Sequence, residues 1–203
     1  MSKFYSFAYA VRFTPWEEAG QANADALAEM FAREEAERCG PGKALDLGCG
    51  TGSHTVELAQ RGWQVTGVDL VDKAVERARK RIADAGVNAK VLRADLTSMS
   101  SDVVGTGYGF FLDLGCFHGL TPQEQQAMAR SVTALANPEA TLFMMAFEKP
   151  AGPRFMPQGA TVETIEAAYR DWHVVDVEPA PLPAKSRRML IKSEPTFFRL
   201  QRR

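Results

Sequence analysis

The residues best suited to chemistry in this chain are two acidic side chains that flank a glycine-rich stretch. Gly48, Gly50 and Gly52 have the spacing of a sharp turn from a strand into a helix, where the backbone adopts positive φ and approaches a ligand closely. Asp46 precedes the stretch, and Asp69 ends the next apolar segment roughly 20 residues later, where an acidic side chain accepts hydrogen bonds from ribose hydroxyls. The pattern therefore predicts a nucleoside site.

The spacing of the glycines and the position of Asp46 narrow the choice of nucleoside ligand. Dinucleotide sites use the spacing G-x-G-x-x-G around a pyrophosphate, and a carboxylate beside the turn would repel that group. The same carboxylate attracts a ligand that carries an ammonium and a sulfonium. The segment D-L-G-C-G-T-G at 46–52, followed by G-V-D at 67–69, resembles the signature of class I S-adenosylmethionine-dependent methyltransferases.

This resemblance implies S-adenosylmethionine as the cofactor and S-adenosylhomocysteine as its product. It implies that Asp69 holds the ribose hydroxyls, that Leu70 packs on the adenine, and that the Gly48 backbone contacts the methionine moiety. Asp95 would bind the adenine amino group with Leu96 nearby; the alternative is a loop carboxylate that caps its own turn. The predicted cofactor-binding residues are Trp16, Asp46, Gly48, Cys49, Gly50, Gly52, Asp69, Leu70, Asp95, Leu96 and Asp113.

The amino-terminal segment carries a second resemblance. Thr14-Pro15-Trp16-Glu17 is similar to the T-P-W-D/E segment of small thiopurine-type, tellurite-resistance-type and heterocyclic-toxin methyltransferases. The resemblance implies that residues 1–38 form a helical lid in which Trp16 contacts the methionine end of the cofactor. Four aromatic residues are then candidate walls of the acceptor pocket, namely Phe4, Phe7, Tyr9 and Phe13. The alternative is that these aromatic side chains anchor a terminal helix.

Further candidate acceptor contacts come from two loops. Phe117 and His118 follow the fourth predicted strand, and His118 is the candidate catalytic residue because imidazole titrates near neutral pH. Packing in the core is the alternative for His118. Arg154, in a Pro- and Gly-rich loop, is a candidate contact for an anionic acceptor or else a solvated charge. The three cysteines lack metal-ligand spacing, so we expect reduced thiols and no metal site.

The order of apolar and polar segments predicts an α/β fold. Strands and helices alternate along the chain, and two further strands close it. The predicted strands are 43–47, 63–69, 88–93, 109–114, 140–147, 172–178 and about 189–200. This order predicts a Rossmann-like, doubly wound seven-stranded sheet, mostly parallel with a C-terminal antiparallel hairpin. We expect a single methyltransferase domain over 1–203, with 39–203 as its core.

One short sequence occurs twice. Leu45-Asp46-Leu47-Gly48-Cys49 returns as Leu112-Asp113-Leu114-Gly115-Cys116, without the Gly-Thr-Gly that follows the first copy. We interpret the two copies as strand ends with similar local requirements. The second copy also differs from the Pro-Pro-aromatic pattern that exocyclic-amine nucleic-acid methyltransferases carry after this strand, which favours a small-molecule acceptor.

Composition constrains the partners and the location. Lysine and arginine number 24 against 25 aspartate and glutamate, a formal net charge of -1, so no basic surface for a nucleic acid is expected. The longest apolar runs have the length of strands, and the amino terminus lacks a secretory pattern, which predicts a cytoplasmic protein without a membrane segment.

The functional hypothesis is methyl transfer to a small aromatic or heterocyclic acceptor at O, S or N, with detoxification as a possible role. One alternative is a non-catalytic protein that binds an adenosyl ligand. A second is an NAD-dependent oxidoreductase, which would require G-x-G-x-x-G.

Overall fold

The computed structural model describes residues 23–148, 159–180 and 195–203, which form one sheet with helices on both faces. The strands are β1 Lys43–Leu47, β2 Gln64–Asp69, β3 Ala89–Arg93, β4 Tyr108–Leu114, β5 Ala136–Phe147, β6 Trp172–Pro179 and β7 Pro195–Arg202. The helices are α1 Ala24–Glu37, α2 Ser53–Gln60, α3 Asp72–Ala85, α4 Ser101–Val104, α5 Pro122–Leu135 and α6 Val162–Ala168, with a 3-10 turn at Phe117–Gly119.

The sheet has the order β3-β2-β1-β4-β5-β7-β6. Strands β1 to β5 pair in parallel, and β7 lies between β5 and β6 and is antiparallel to both. The seven-stranded, mostly parallel sheet with an antiparallel carboxyl-terminal pair confirms the predicted fold class. The order of strands reverses between β1 and β4, and in open α/β sheets this is where ligands bind, beyond the carboxyl ends of the strands.

The central strands form because apolar residues run without interruption through them. Phe110, Phe111 and Leu112 of β4 are fully buried, as expected for a strand covered on both faces. On one face Phe110 and Leu112 pack among side chains of α1, α2 and the neighbouring strands. On the other face Phe111 packs with side chains of α5 and α6. The sheet therefore separates two distinct cores.

The predicted boundaries differ from the structure at a few ends. Strand β5 begins at Ala136 rather than 140, because the backbone already pairs with Tyr108 before an irregularity in the register. The polar segment after β3 contains the short helix α4, which Ser100 caps by accepting a hydrogen bond from the Asp102 N–H. The predicted start of the last strand, at 189, lies outside the described residues.

Local capping rules explain the starts of two helices. Thr121 and Glu124 form a reciprocal capping box at α5, with Pro122 in the first turn. Thr161 caps α6 by accepting a hydrogen bond from the Thr164 N–H. No helix within the described ranges has the length and apolar character needed to cross a membrane.

Candidate functional site

The glycine turn lies between β1 and α2, at the reversal of strand order. Gly48, Gly50 and Gly52 have φ angles of 67°, 55° and 80°. A Cβ atom on Gly48 would lie 2.2 Å from the Cys116 Sγ, and one on Gly52 would lie 3.1 Å from the Cα of Ala78 in α3. Glycine is therefore required at 48 and 52 both by backbone conformation and by the lack of space.

Asp46 is a buried carboxylate directly before this turn. Its side chain points to the face of the sheet covered by α2, where the Thr55 hydroxyl donates a hydrogen bond to Oδ2 over 2.6 Å. Burial raises the pKa of the Asp46 carboxyl above its usual range, although the Thr55 hydrogen bond opposes this shift. A positively charged ligand at the turn would stabilise the ionised form.

Asp69 is oriented by the turn itself. Its Oδ2 accepts a hydrogen bond from the Gly50 N–H at 3.0 Å, and its Oδ1 accepts one from the Val71 N–H at 2.8 Å. These two hydrogen bonds fix the orientation of the carboxylate, and a carboxylate oxygen can accept more than one hydrogen bond. The geometry therefore pre-orients an acceptor at the end of β2.

Apolar surface follows this acceptor. Leu70, directly after Asp69, exposes 36% of its surface, which is unusual for a leucine beside a buried strand. Leu96 is partly buried against the core. Asp95 is exposed, and its Oδ1 accepts hydrogen bonds from the Thr97 N–H at 2.9 Å and the Thr97 hydroxyl at 2.7 Å. The carboxylate thus caps its own loop, the alternative considered for it, and its contact with adenine stays a prediction.

Asp113 is buried and is held by the backbone of its own turn. The side chain has no exposed surface and lies on the face of the sheet opposite Asp46, because Asp46 pairs with Leu112 rather than with Asp113. Its carboxylate accepts hydrogen bonds from three backbone N–H groups of the following turn. Burial raises the pKa of Asp113 to about 6. In this structure Asp113 supports its own turn, and its contact with the cofactor stays a prediction.

Phe117 and His118 also require correction. Phe117 is fully buried, with its ring centroid 5.7 Å from that of Tyr169, so it is a core residue and not an exposed wall of a pocket. The Phe147 N–H donates a hydrogen bond to the Nδ1 of His118 over 3.1 Å, and burial lowers the pKa of His118 to about 4. The imidazole is therefore neutral with its proton on Nε2, a state that donates a hydrogen bond but is unsuited to removing a proton.

Several predicted site residues lie outside the described residues, so their roles stay predictions. They are Phe4, Phe7, Tyr9, Phe13, Trp16 and Arg154. Cys49 is buried in the turn, burial raises the pKa of its thiol well above the ordinary value, and its contact with the cofactor stays a prediction. In the part of the chain that the structure describes, no three His, Cys, Asp or Glu side chains are grouped to bind a metal ion.

Two functional contacts were missed by reasoning from the sequence. Thr55 supplies the hydrogen bond to Asp46, and the side chain of Cys116 contacts the Gly48 backbone. The position of Thr55 in the first turn of the helix after the glycines is a usable signal. For Cys116 the repeated Leu-Asp-Leu-Gly-Cys segment was visible, but the contact depends on how β1 and β4 pair.

Comparison with known proteins bears on the same region. Residues 44–139 match the family described as "Methyltransferase domain". The chain is 29% identical over 154 residues to the 2-heptyl-1-hydroxyquinolin-4(1H)-one methyltransferase of Mycobacteroides abscessus, covering 70% of this chain and 64% of that protein. It is 43% identical over 58 residues to the ribosomal RNA small subunit methyltransferase C of Alcanivorax borkumensis, covering 29% of this chain and 18% of that protein. The chain thus spans less than two thirds of either relative.

A solved structure shows the same fold over nearly the whole chain. The 1,6-didemethyltoxoflavin-N1-methyltransferase of Burkholderia thailandensis, crystallised with 1,6-didemethyltoxoflavin and S-adenosylhomocysteine, superimposes with a TM-score of 0.68 at 18% identity. The superposition covers 99% of this chain and 89% of that chain. The family match and the likeness of fold fall on the same strands, so residues 44–139 resemble a methyltransferase domain in sequence and share the fold of the toxoflavin enzyme.

Proposed function

We propose that this protein transfers a methyl group from S-adenosylmethionine to a small aromatic or heterocyclic acceptor. The observation that carries the proposal is the buried Asp46 carboxylate beside a glycine turn at the reversal of strand order. Burial of a carboxylate is unfavourable, and a ligand with ammonium and sulfonium groups would relieve that cost. A pyrophosphate would increase it.

The described residues provide complementary parts of a cofactor site. Asp69, oriented by the Gly50 and Val71 N–H groups, would accept hydrogen bonds from the ribose hydroxyls. The exposed side chain of Leu70 would pack on the adenine, and the turn at 48–52 would contact the methionine end. When bound, S-adenosylmethionine supplies a methyl group on a positively charged sulfur. The protein then has to align the acceptor with that carbon, and positioning alone provides a large part of the acceleration.

The acceptor is inferred from the neutral state of His118. An imidazole with its proton on Nε2 can donate a hydrogen bond that orients an acceptor, but it does not deprotonate one. With His118 in this state, we infer an acceptor that is already nucleophilic, as a phenolate, an N-hydroxy anion, a thiolate or an unprotonated ring nitrogen. The names of the two similar proteins, a hydroxyquinolinone methyltransferase and a toxoflavin N1-methyltransferase, support a heterocycle of this kind.

The remaining features of the proposal concern partners and setting. We infer a small-molecule acceptor and no nucleic-acid partner, because the formal net charge of -1 offers no excess of positive charge for a polyanion. The short match to a ribosomal RNA methyltransferase covers only 18% of that protein. A single methyltransferase domain in the cytoplasm, with a role in detoxification, completes the proposal.

The test compares ligands and then measures turnover. Calorimetry with the purified protein should show binding of S-adenosylmethionine and S-adenosylhomocysteine and no binding of NAD or ATP. Incubation with labelled cofactor and a panel of hydroxyquinolinones, phenols, thiols and N-heterocycles should then label one class. Binding of NAD or ATP without the adenosyl ligands would overturn the proposal. Tight binding of S-adenosylhomocysteine without transfer to any acceptor would favour a non-catalytic binding protein.

A further inference from the structure

The turn that follows β4 is organised around one carboxylate that the proposed reaction does not use. The oxygens of Asp113 accept hydrogen bonds from the N–H groups of Gly115 at 3.0 Å, Cys116 at 2.6 Å and Phe117 at 3.0 Å. Hydrogen bonds to an ionised acceptor are stronger than neutral ones, so three of them determine the path of the backbone here. Asp113 therefore sets where the side chain of Cys116 lies.

Cys116 joins this turn to the glycine turn. Its Sγ lies 3.4 Å from the carbonyl oxygen of Leu47, and a Cβ atom on Gly48 would lie 2.2 Å from the same sulfur. The two turns are therefore packed together without intervening space, and packed interiors transmit small displacements. A shift of Cys116 changes the room available to the Gly48 backbone.

The far end of the same turn is held by two other elements. The Gln125 side-chain amide donates a hydrogen bond to the Phe117 carbonyl over 3.2 Å, from helix α5. The Phe147 N–H at the end of β5 donates to His118 Nδ1 over 3.1 Å. Because residues 117 and 118 are anchored independently, the loss of Asp113 as an acceptor is expected to release the near end, where Cys116 lies.

We propose that Asp113 is a positioning residue for the cofactor turn and acts through Cys116. With its backbone held by Asp113, Cys116 braces Gly48 and keeps the turn in the shape that receives the methionine end of the cofactor. The identity of that ligand rests on the proposed function, whereas the contact between the turns does not. The second Leu-Asp-Leu-Gly-Cys segment thus supports the first.

The first experiment uses the ligand-free protein and the variant Asp113→Asn. Asparagine keeps the shape but replaces one acceptor oxygen with an NH2 group, which cannot accept from the backbone. The readout is amide hydrogen exchange at two positions of the glycine turn. The Cys49 N–H donates to the carbonyl of Val68 in β2, and the Gly52 N–H donates to the carbonyl of Cys49. Exchange at both amides should accelerate by about tenfold or more, as expected for a locally loosened segment.

The control is Val132→Ala, which removes buried side-chain volume from helix α5 in the same core and changes no residue of either turn. The exchange rates of the two variants are compared under conditions in which both are equally far below their melting temperatures. If Asp113 acts only on global stability, the rates at Cys49 and Gly52 will then be the same in both variants. That result would overturn the proposal. The exchange measurement requires no ligand. A failure of S-adenosylhomocysteine to bind would therefore contradict the proposed function without deciding whether Asp113 positions the glycine turn.

The second experiment tests the route through Cys116 by a double-mutant cycle on the affinity for S-adenosylhomocysteine. Asp113→Asn should raise Kd by roughly tenfold, the equivalent of one hydrogen bond to a charged group. Cys116→Ala should raise it less, and the double variant should be no weaker than Asp113→Asn alone. Multiplicative effects would contradict a route through Cys116. In turnover, Asp113→Asn should raise the KM for the cofactor more than it lowers kcat.

Discussion

The two Leu-Asp-Leu-Gly-Cys segments, at 45–49 and 112–116, end neighbouring parallel strands and yet build turns of different kinds. In the first, the Asp46 carboxylate accepts a hydrogen bond from a side chain of the next helix, and the backbone continues through positive-φ glycines into that helix. In the second, the Asp113 carboxylate accepts hydrogen bonds from backbone N–H groups of its own turn, and that turn continues into a 3-10 helix. Five identical residues therefore lead into the proposed cofactor turn in one place and into a buried structural turn in the other.

The difference arises from register and from the residues that follow. Asp46 pairs with Leu112, so the two aspartates are offset by one residue and point to opposite faces of the sheet. Gly50 and Gly52 after the first copy allow the chain to wrap a ligand, whereas Phe117 after the second copy enters the core. A shared pattern thus predicts a strand end but does not predict which side of the sheet its acidic residue serves.

The largest expected effect is a difference in stability between alanine substitutions at Gly48 and at Gly115, the glycines of the two Leu-Asp-Leu-Gly-Cys segments. Gly48→Ala places a Cβ against the Cys116 sulfur at positive φ, and we expect a loss of about 3 kcal/mol or more in the free energy of unfolding. Gly115→Ala meets its nearest atom, in the His118 ring, only at 3.5 Å, so conformational strain of about 1–2 kcal/mol is expected. Urea denaturation of both variants measures the difference. Equal losses would contradict the contact between the turns.

The next effect concerns the acidic residue of the ligand site. Asp69→Ala should weaken the binding of S-adenosylhomocysteine by about 1.5–3 kcal/mol, the scale of hydrogen bonds to a charged group. Calorimetry gives the affinity directly. Asp84→Ala, which removes an exposed carboxylate paired only with Lys80 among the described contacts, is the control and should leave the affinity unchanged. Unchanged affinity in Asp69→Ala would remove the assigned ribose contact.

A smaller effect is expected for the hydroxyl that supports Asp46. Thr55→Val keeps the volume but removes the donor 2.6 Å from the carboxylate, so the free energy of unfolding should fall by about 1–2 kcal/mol near neutral pH. Chemical denaturation measures this loss. In an Asp46→Asn background the same change should cost less, because no buried charge is then left without its donor. An undiminished cost would show that Thr55 acts by packing.

The smallest effect is a pH dependence carried by His118. Its pKa is about 4 in the folded protein against 6.5 for an ordinary histidine, so its contribution is fully present above 6.5 and is lost as the pH falls toward 4. The difference in the free energy of unfolding between the original protein and His118→Asn should therefore be smaller at about pH 5 than at about pH 7. Denaturation midpoints at the two pH values measure this, and a constant gap would contradict burial of a neutral ring.

Asp113 changes the stability with pH in the opposite direction to His118, and the two pH ranges overlap. The stability of His118→Asn therefore has to be compared with that of the original protein at each pH. Its folded pKa of about 6 lies above the ordinary value of 3.8, so its contribution is present below 3.8 and is lost as the pH rises through 6. Because His118→Asn leaves Asp113 in place, the difference between the two proteins isolates the histidine. The same variant should also keep most of its turnover, since loss of a general base costs about a hundredfold or more.

Local sequence determined a large part of this protein. The alternation of apolar strands with capped helices predicted the seven-stranded sheet, and the limits of β1 and α2 agree with the structure because glycines and caps act within a few residues. The glycine spacing between Asp46 and Asp69 predicted a site at a turn that the structure places at the reversal of strand order. These features depend on backbone conformation and periodicity, which are encoded residue by residue.

Tertiary structure decided what the individual polar side chains do. The sequence favoured Asp113 for the cofactor and His118 for proton transfer, but pairing of β1 with β4 placed Asp113 on the opposite face, and the end of β5 engaged His118. The contact of Cys116 with Gly48 likewise joins residues far apart in the chain. Register, burial and long-range packing set these outcomes, because an ionisable group takes its role from the partners around it and those partners come from distant segments.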